Sequence, residues 1–270
     1  MPALIDTTVL VEVAQAKEPT LERTKSFAAA SGPALLADYA LRELLAGLVR
    51  QICTAHNRVL ASDNPASAIQ EILQGAGFAT RTVVGQANAV AQAMAQAMST
   101  NEPFTAEGIR REVLQALMLE ANSLWRKANR SGFLQGTQAL SCFPGGSLSL
   151  DPATGALLGP ENSFNCLRSE RCAAAQYLFE KQDEVKKLVA ALHPDVLGPE
   201  LAAKRENQSR RSALKDLIAK GPKGFSKKGC RALGDAYFAV MAPPGHVVLT
   251  TNLVDHTPLC QALGKQAQLP

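Results

Sequence analysis

Aromatic residues are scarce in this chain: they make up 5% of it, with Trp125 the only Trp. Rings therefore cannot dominate the interior, which falls to Ala and Leu, a helix-rich globular composition. Close cysteine pairs are missing as well. Cys53, Cys142, Cys166, Cys172, Cys230 and Cys260 are scattered, no CxxC occurs among them, and there are only 4 His, so a structural zinc has no ligand spacing to use. Dispersed thiols suit a reducing compartment. No apolar run approaches the ~18 residues of a membrane span, and Met1-Pro2-Ala3 leads into apolar residues without a basic leader. The expectation is a soluble, cytoplasmic protein with no membrane partner. Gly-rich segments such as Pro144-Gly145-Gly146 follow no strand in a GxGxxG or P-loop pattern, so no nucleotide cradle is indicated.

What is present is enough apolar residue for a sizeable core: 46% of 270 residues, sufficient for one large domain or two small ones. Ala3-Leu4-Ile5 reads as a short strand, followed by helices over 8–16 and 20–30. Ala34–Ala37 reads as a second strand, and 38–49 as a helix with Leu41, Leu44, Leu45 and Leu48 on its apolar stripe. Asn64-Pro65 opens another helix, through Leu73. Residues 78–84 read as a third strand and 86–98 as its helix. Alternation of this kind predicts a parallel sheet covered by helices.

The pattern then changes. Helices are expected over 105–129, 167–192 and 199–220, and a small hairpin near 147–158 around Asp151-Pro152-Ala153-Thr154-Gly155. The stretch 100–222 therefore reads as an inserted, mostly helical subdomain, with 1–99 and 223–270 forming the α/β core. In the core's last part, Leu233–Met241 is an amphipathic helix opening on Asp235, and Val247-Val248-Leu249 is a buried strand ending in Thr250-Thr251-Asn252.

Positive charge is concentrated. Between Lys204 and Arg231, six Lys and four Arg face only Glu206 and Asp216, a local balance of +8 in a chain whose net charge is +4, so the rest carries −4. Clustered cations beside acids are suited to backbone phosphates. Arg210, Arg211, Lys220, Lys223, Lys227, Lys228 and Arg231 are the candidate nucleic-acid contacts.

Taken in order, Leu4–Leu10 with Asp6, Ala34–Gly47 with Glu43, Leu233–Met241 with Asp235, and Val247–Asn252 running on through Asp255 to Gly264 resemble the PIN domain family of metal-dependent nucleases. The resemblance covers about half the chain. It implies a PIN-like α/β/α core and a ribonuclease that uses Mg²⁺ or Mn²⁺, with Asp6, Glu43, Asp235 and Asp255 as metal ligands. Asn252 stands beside Asp255 as the alternative fourth group, and Thr7 and Thr251 could donate to the acids. Hard cations prefer carboxylate oxygen and supply activated water and charge neutralisation for phosphodiester cleavage. RNA is the implied substrate, DNA the variant of it. A protein inhibitor or antitoxin and a homo-oligomer are further partners the family allows, with roles as toxin or defence effector. A catalytically inactive nucleic-acid-binding or scaffold protein of the same fold is the alternative. A haloacid dehalogenase-type phosphatase needs a second acid two residues after Asp6, where Thr8 stands. His256 reads as a surface residue.

Overall fold

The computed structural model describes residues 1–75, 88–92, 94–95, 98, 105–130, 132–136, 146–160, 164, 172–223 and 227–270. Within them, β1 (Ala3–Ile5) is the middle strand of a five-stranded sheet, and its three residues are 0% exposed. A strand covered on both faces needs a continuous apolar run rather than alternation, which is what Ala-Leu-Ile supplies. Fully burying Leu4 and Ile5 contributes about 1.5–3 kcal/mol each.

The chain leaves β1 through α1 (Thr7–Ala14) and α2 (Thr20–Ser31), and returns as β2 (Ala34–Leu36), parallel to β1 with Leu4 opposite Leu35. It continues as α3 (Asp38–Leu44), a π-helical turn (Leu45–Val49), α4 (Arg50–Ala61), α5 (Pro65–Gly75) and α6 (Ala106–Arg130). Asn64 caps α5 as expected, its Oδ1 accepting from Ser67 N at 3.1 Å. The third strand of the sheet is β3 (Leu134–Gly136), parallel to β2. The strand expected over 78–84 lies outside the described residues.

A hairpin of β4 (Ser149–Leu150) and β5 (Leu157–Leu158) follows, closed by Asp151 as expected, whose Oδ1 accepts from Ala153 N and Thr154 N, both at 2.9 Å. Next come α7 (Ala173–Glu180), α8 (Gln182–Ala191), two single helical turns, and the long α9 (Arg205–Lys220). A short helical stretch (Lys227–Ala232) leads into α10 (Gly234–Met241), β6 (Val247–Leu249), α11 (Leu253–Ala262) and β7 (Gln266–Gln268).

Every pairing within the five-stranded sheet is parallel, in the order β3-β2-β1-β6-β7, while β4 and β5 pair antiparallel. The α/β class with a parallel sheet and mostly helical remainder is thus present. The strand order reverses between β1 and β6, and in open α/β sheets the crevice outside the carboxyl ends at such a switch point is where ligands bind.

The chain forms two compact units: Met1–Arg42 with Arg130–Phe143 and Cys166–Pro270, and Glu43–Asn129 with Pro144–Asn165. These limits differ from a division at residues 99 and 222, because β3 and helices α7 to α9, all from within 100–222, belong to the unit that holds the sheet. The second unit is tied together by side chains on loop backbone. Asn57 takes both polar groups of Leu157, accepting from its N at 2.7 Å and donating to its O at 3.0 Å, and Trp125 Nε1 donates to Gly146 O at 3.0 Å.

Candidate active site at the carboxyl edge of the sheet

Asp6 is the first residue beyond β1 and the N-cap of α1. Its backbone is extended, its N–H continues the sheet by donating to Leu249 O at 3.0 Å, and its Oδ1 accepts from Val9 N at 3.0 Å. A strand that turns into a helix on one residue leaves the first helical N–H groups without partners, and an Asp there satisfies one of them. The carboxylate, 2% exposed, also accepts from Thr8 Oγ1 on Oδ1 and Thr250 Oγ1 on Oδ2, each at 2.7 Å. These hydroxyls stand next to the Thr7 and Thr251 suggested by the resemblance; Thr251 gives its backbone N–H to Thr8 Oγ1 at 3.1 Å.

Asp235 lies in the first turn of α10, where negative charge is favoured by the helix dipole. It meets Asp6 at one atom. His256 Nε2 is 3.1 Å from Asp6 Oδ2 and 3.4 Å from Asp235 Oδ1. The other Asp235 oxygen accepts from Arg210 Nη2 of α9. All four residues belong to the first unit, and two carboxylates against an imidazolium and a guanidinium make a neutral set.

Burial opposes charge on His256, but its hydrogen bonds to Asp235 and Asp6, with their negative charges, prevail and raise its pKa to about 9. Burial likewise opposes ionisation of Asp235. Here the His256 hydrogen bond and the Arg210 charge prevail and hold it below the usual carboxylate range. Nδ1 of His256 has no hydrogen-bond partner among the described residues.

His256 is 1% exposed, which overturns its reading as a surface residue. The signal was available in α11, whose buried positions are His256, Leu259 and Cys260, the i, i+3, i+4 spacing of one helix face. Arg210 is a second departure. It is buried on the stripe formed by Asn207, Arg210, Ala213, Leu214 and Leu217, and engages an acid of the site.

Each of the remaining candidates has its own surroundings. Asn252 and Asp255 bind each other at the start of α11, Nδ2 to Oδ2 at 2.7 Å, and Asn252 N donates to Thr250 Oγ1 at 2.9 Å, so both are linked to Asp6 through Thr250. Glu43 is half-buried, opens the second unit and is engaged by a neighbour. Lys220, Lys223 and Arg231 are exposed, Lys220 pairing with Asp216 at 2.8 Å, while Arg211 is half-buried and engaged. The side chains of Lys227 and Lys228 lie outside the described residues.

Two carboxylates converging on a positive nitrogen are donors of the kind a hard cation takes, with Nε2–H of His256 standing where positive charge is held. As arranged, the acids are engaged by the protein's own cations, and among the described residues no trio of His, Cys, Asp or Glu is set to hold a metal. The chain matches no protein family, no curated protein and no solved structure. Among the described residues no helix is long and apolar enough to cross a membrane.

Proposed function

We propose that this protein is a PIN-like, divalent-metal-dependent ribonuclease with its centre at Asp6 and Asp235. One observation supports the reading above others: two acids far apart in sequence meet at a single imidazole nitrogen, at the strand-order reversal of a parallel sheet. Asp6 and Asp235 would hold Mg²⁺ or Mn²⁺. Asp255 joins them through the family resemblance alone. The bound ion would supply activated water and neutralise the phosphoryl oxygens. The chain's own part is to fix these acids in place, which Thr8 and Thr250 do for Asp6 by hydrogen bonding. Exposed cations of and beside α9, among them Lys204, Arg205, Lys215, Lys223 and Arg231, suit an RNA backbone.

Incubating the protein with single-stranded and structured RNA in Mn²⁺, Mg²⁺ or EDTA tests the reading. Cleavage is expected with either metal, none with EDTA, and none with Asp6→Asn or Asp235→Asn. Wild-type turnover retained by either variant removes that acid from the mechanism.

A second reading, a non-catalytic nucleic-acid-binding or scaffold protein, is favoured by the charge balance, since His256 and Arg210 already neutralise both acids. RNA shifted in a gel but left intact under every metal condition would decide for it.

A further inference from the structure

Asp235 offers only one oxygen to the point it shares with Asp6. Oδ1 lies 3.4 Å from His256 Nε2, while Oδ2 accepts from Arg210 Nη2. Arg210 is itself held in place. Its Nη1 donates to Asn207 Oδ1 at 2.5 Å, and Asn207 Nδ2 donates to Leu201 O at 2.9 Å. With its side chain 5% exposed, Arg210 is withdrawn from any backbone phosphate passing over the basic helix. A guanidinium is a rigid planar fork, so tying one prong to Asn207 fixes the direction of the other. A lysine would bring the charge without that direction.

We propose that Arg210 is a positioning residue. Anchored through Asn207 to the Leu201 carbonyl, it sets the orientation of Asp235 and commits Oδ1 to the point shared with Asp6. The proposal rests on the ribonuclease reading and deepens it by naming what places the second acid. It also separates α9 into two roles, a buried polar end that orients the centre and an exposed cationic side that meets the substrate.

The test compares the full-length protein with Asn207→Ala, Arg210→Lys, Arg210→Gln and, as an exposed cation of the same helix, Lys215→Gln. For each, kcat and KM on a single-stranded RNA are measured against Mn²⁺ and salt, Mn²⁺ binding without RNA is followed by electron paramagnetic resonance, and folding by circular dichroism. Asn207→Ala keeps every charge and is expected to lower kcat about 10- to 100-fold, the scale of a misplaced catalytic group. It should also weaken Mn²⁺ binding while leaving KM and the salt slope unchanged. Arg210→Lys should fall between wild type and Arg210→Gln. Should Arg210→Gln not fold, Asn207→Ala, which removes a single side chain's hydrogen bonds, still decides. Variants at 207 and 210 that act like Lys215→Gln, with a changed salt slope and unchanged Mn²⁺ binding, overturn the proposal in favour of phosphate contact. So does an Asn207→Ala enzyme indistinguishable from wild type. A wild-type protein that cleaves no RNA with Mn²⁺ overturns the ribonuclease reading and this proposal with it, and that result is visible before any variant is compared.

Discussion

At His256 charge, burial and pH act on the same atoms. Its folded pKa, about 9, stands above the ordinary 6.5, so its contribution to stability is complete below about pH 6.5 and is lost as pH rises through about 9. The loss is on the order of a few kcal/mol. Asp235 has the opposite sign: its depressed pKa stabilises the fold above the ordinary carboxylate range, and that contribution fades as pH falls through the folded value. Thermal melts from pH 6.5 to 9 should therefore show a falling Tm in wild type and a flatter profile in His256→Gln. A wild-type Tm that stays level across this window would mean a neutral imidazole. For Asp6 the expected cost of removal is larger than that of a missing cap. Asp6→Ala takes the cap of α1, worth ~1 kcal/mol, and leaves the hydroxyls of Thr8 and Thr250 without their acceptor. A destabilisation of about 2–4 kcal/mol in urea melts follows, with Asp6→Asn losing less.

The acids themselves were legible because each stands where an apolar run stops or starts, and such boundaries can be read from a sequence. Their partners were less so. Thr8 and Thr250 sit beside Thr7 and Thr251, and a choice between adjacent hydroxyls depends on backbone direction at a strand end. Arg210 looked like the other cations of its run because charge alone does not reveal which helix face a residue occupies; its place on the apolar stripe does.

Among the elements, the middle strands and the edge strand form a contrast. Leu4→Ala in β1 should cost about 2–5 kcal/mol, because the site is closed on both faces. Gln266→Ala in β7 should change stability by no more than about 0.5 kcal/mol. Urea midpoints of the two variants check this. The same contrast explains why β1, β2 and β6 could be read from their apolar runs and β7 could not: Gln266-Ala267-Gln268 carries no apolar pattern and joins the sheet by backbone pairing with β6. β3 was hidden for a related reason, in a stretch rich in Gly, Pro and Ser. On α9, changing Lys204, Arg205 and Lys215 to Gln should flatten the slope of RNA affinity against salt by about 0.7 for each phosphate no longer neutralised, measured by fluorescence titration. An unaltered slope would mean that these residues form only a solvated face.

For the whole molecule, charge is divided rather than balanced: the run from Lys204 to Arg231 is strongly positive and the rest is net negative. On the ribonuclease reading, nucleic acid should be drawn to that run, and affinity should fall steeply with salt. If the centre cuts cellular RNA, induced expression of the wild type should arrest growth while Asp6→Asn should not, as growth curves would show.

The middle of the sheet joins distant parts of the chain, since β1 pairs with β6, and Thr250 reaches back across 244 residues to Asp6. During synthesis at ~5–20 residues per second, Asp6 thus waits roughly ten to fifty seconds for the hydroxyl, imidazole and second acid that complete its surroundings. Until then Asp6 has neither Asp235 nor His256 beside it. On the ribonuclease reading, a centre able to cut RNA would be complete only once α10 and α11 have been translated.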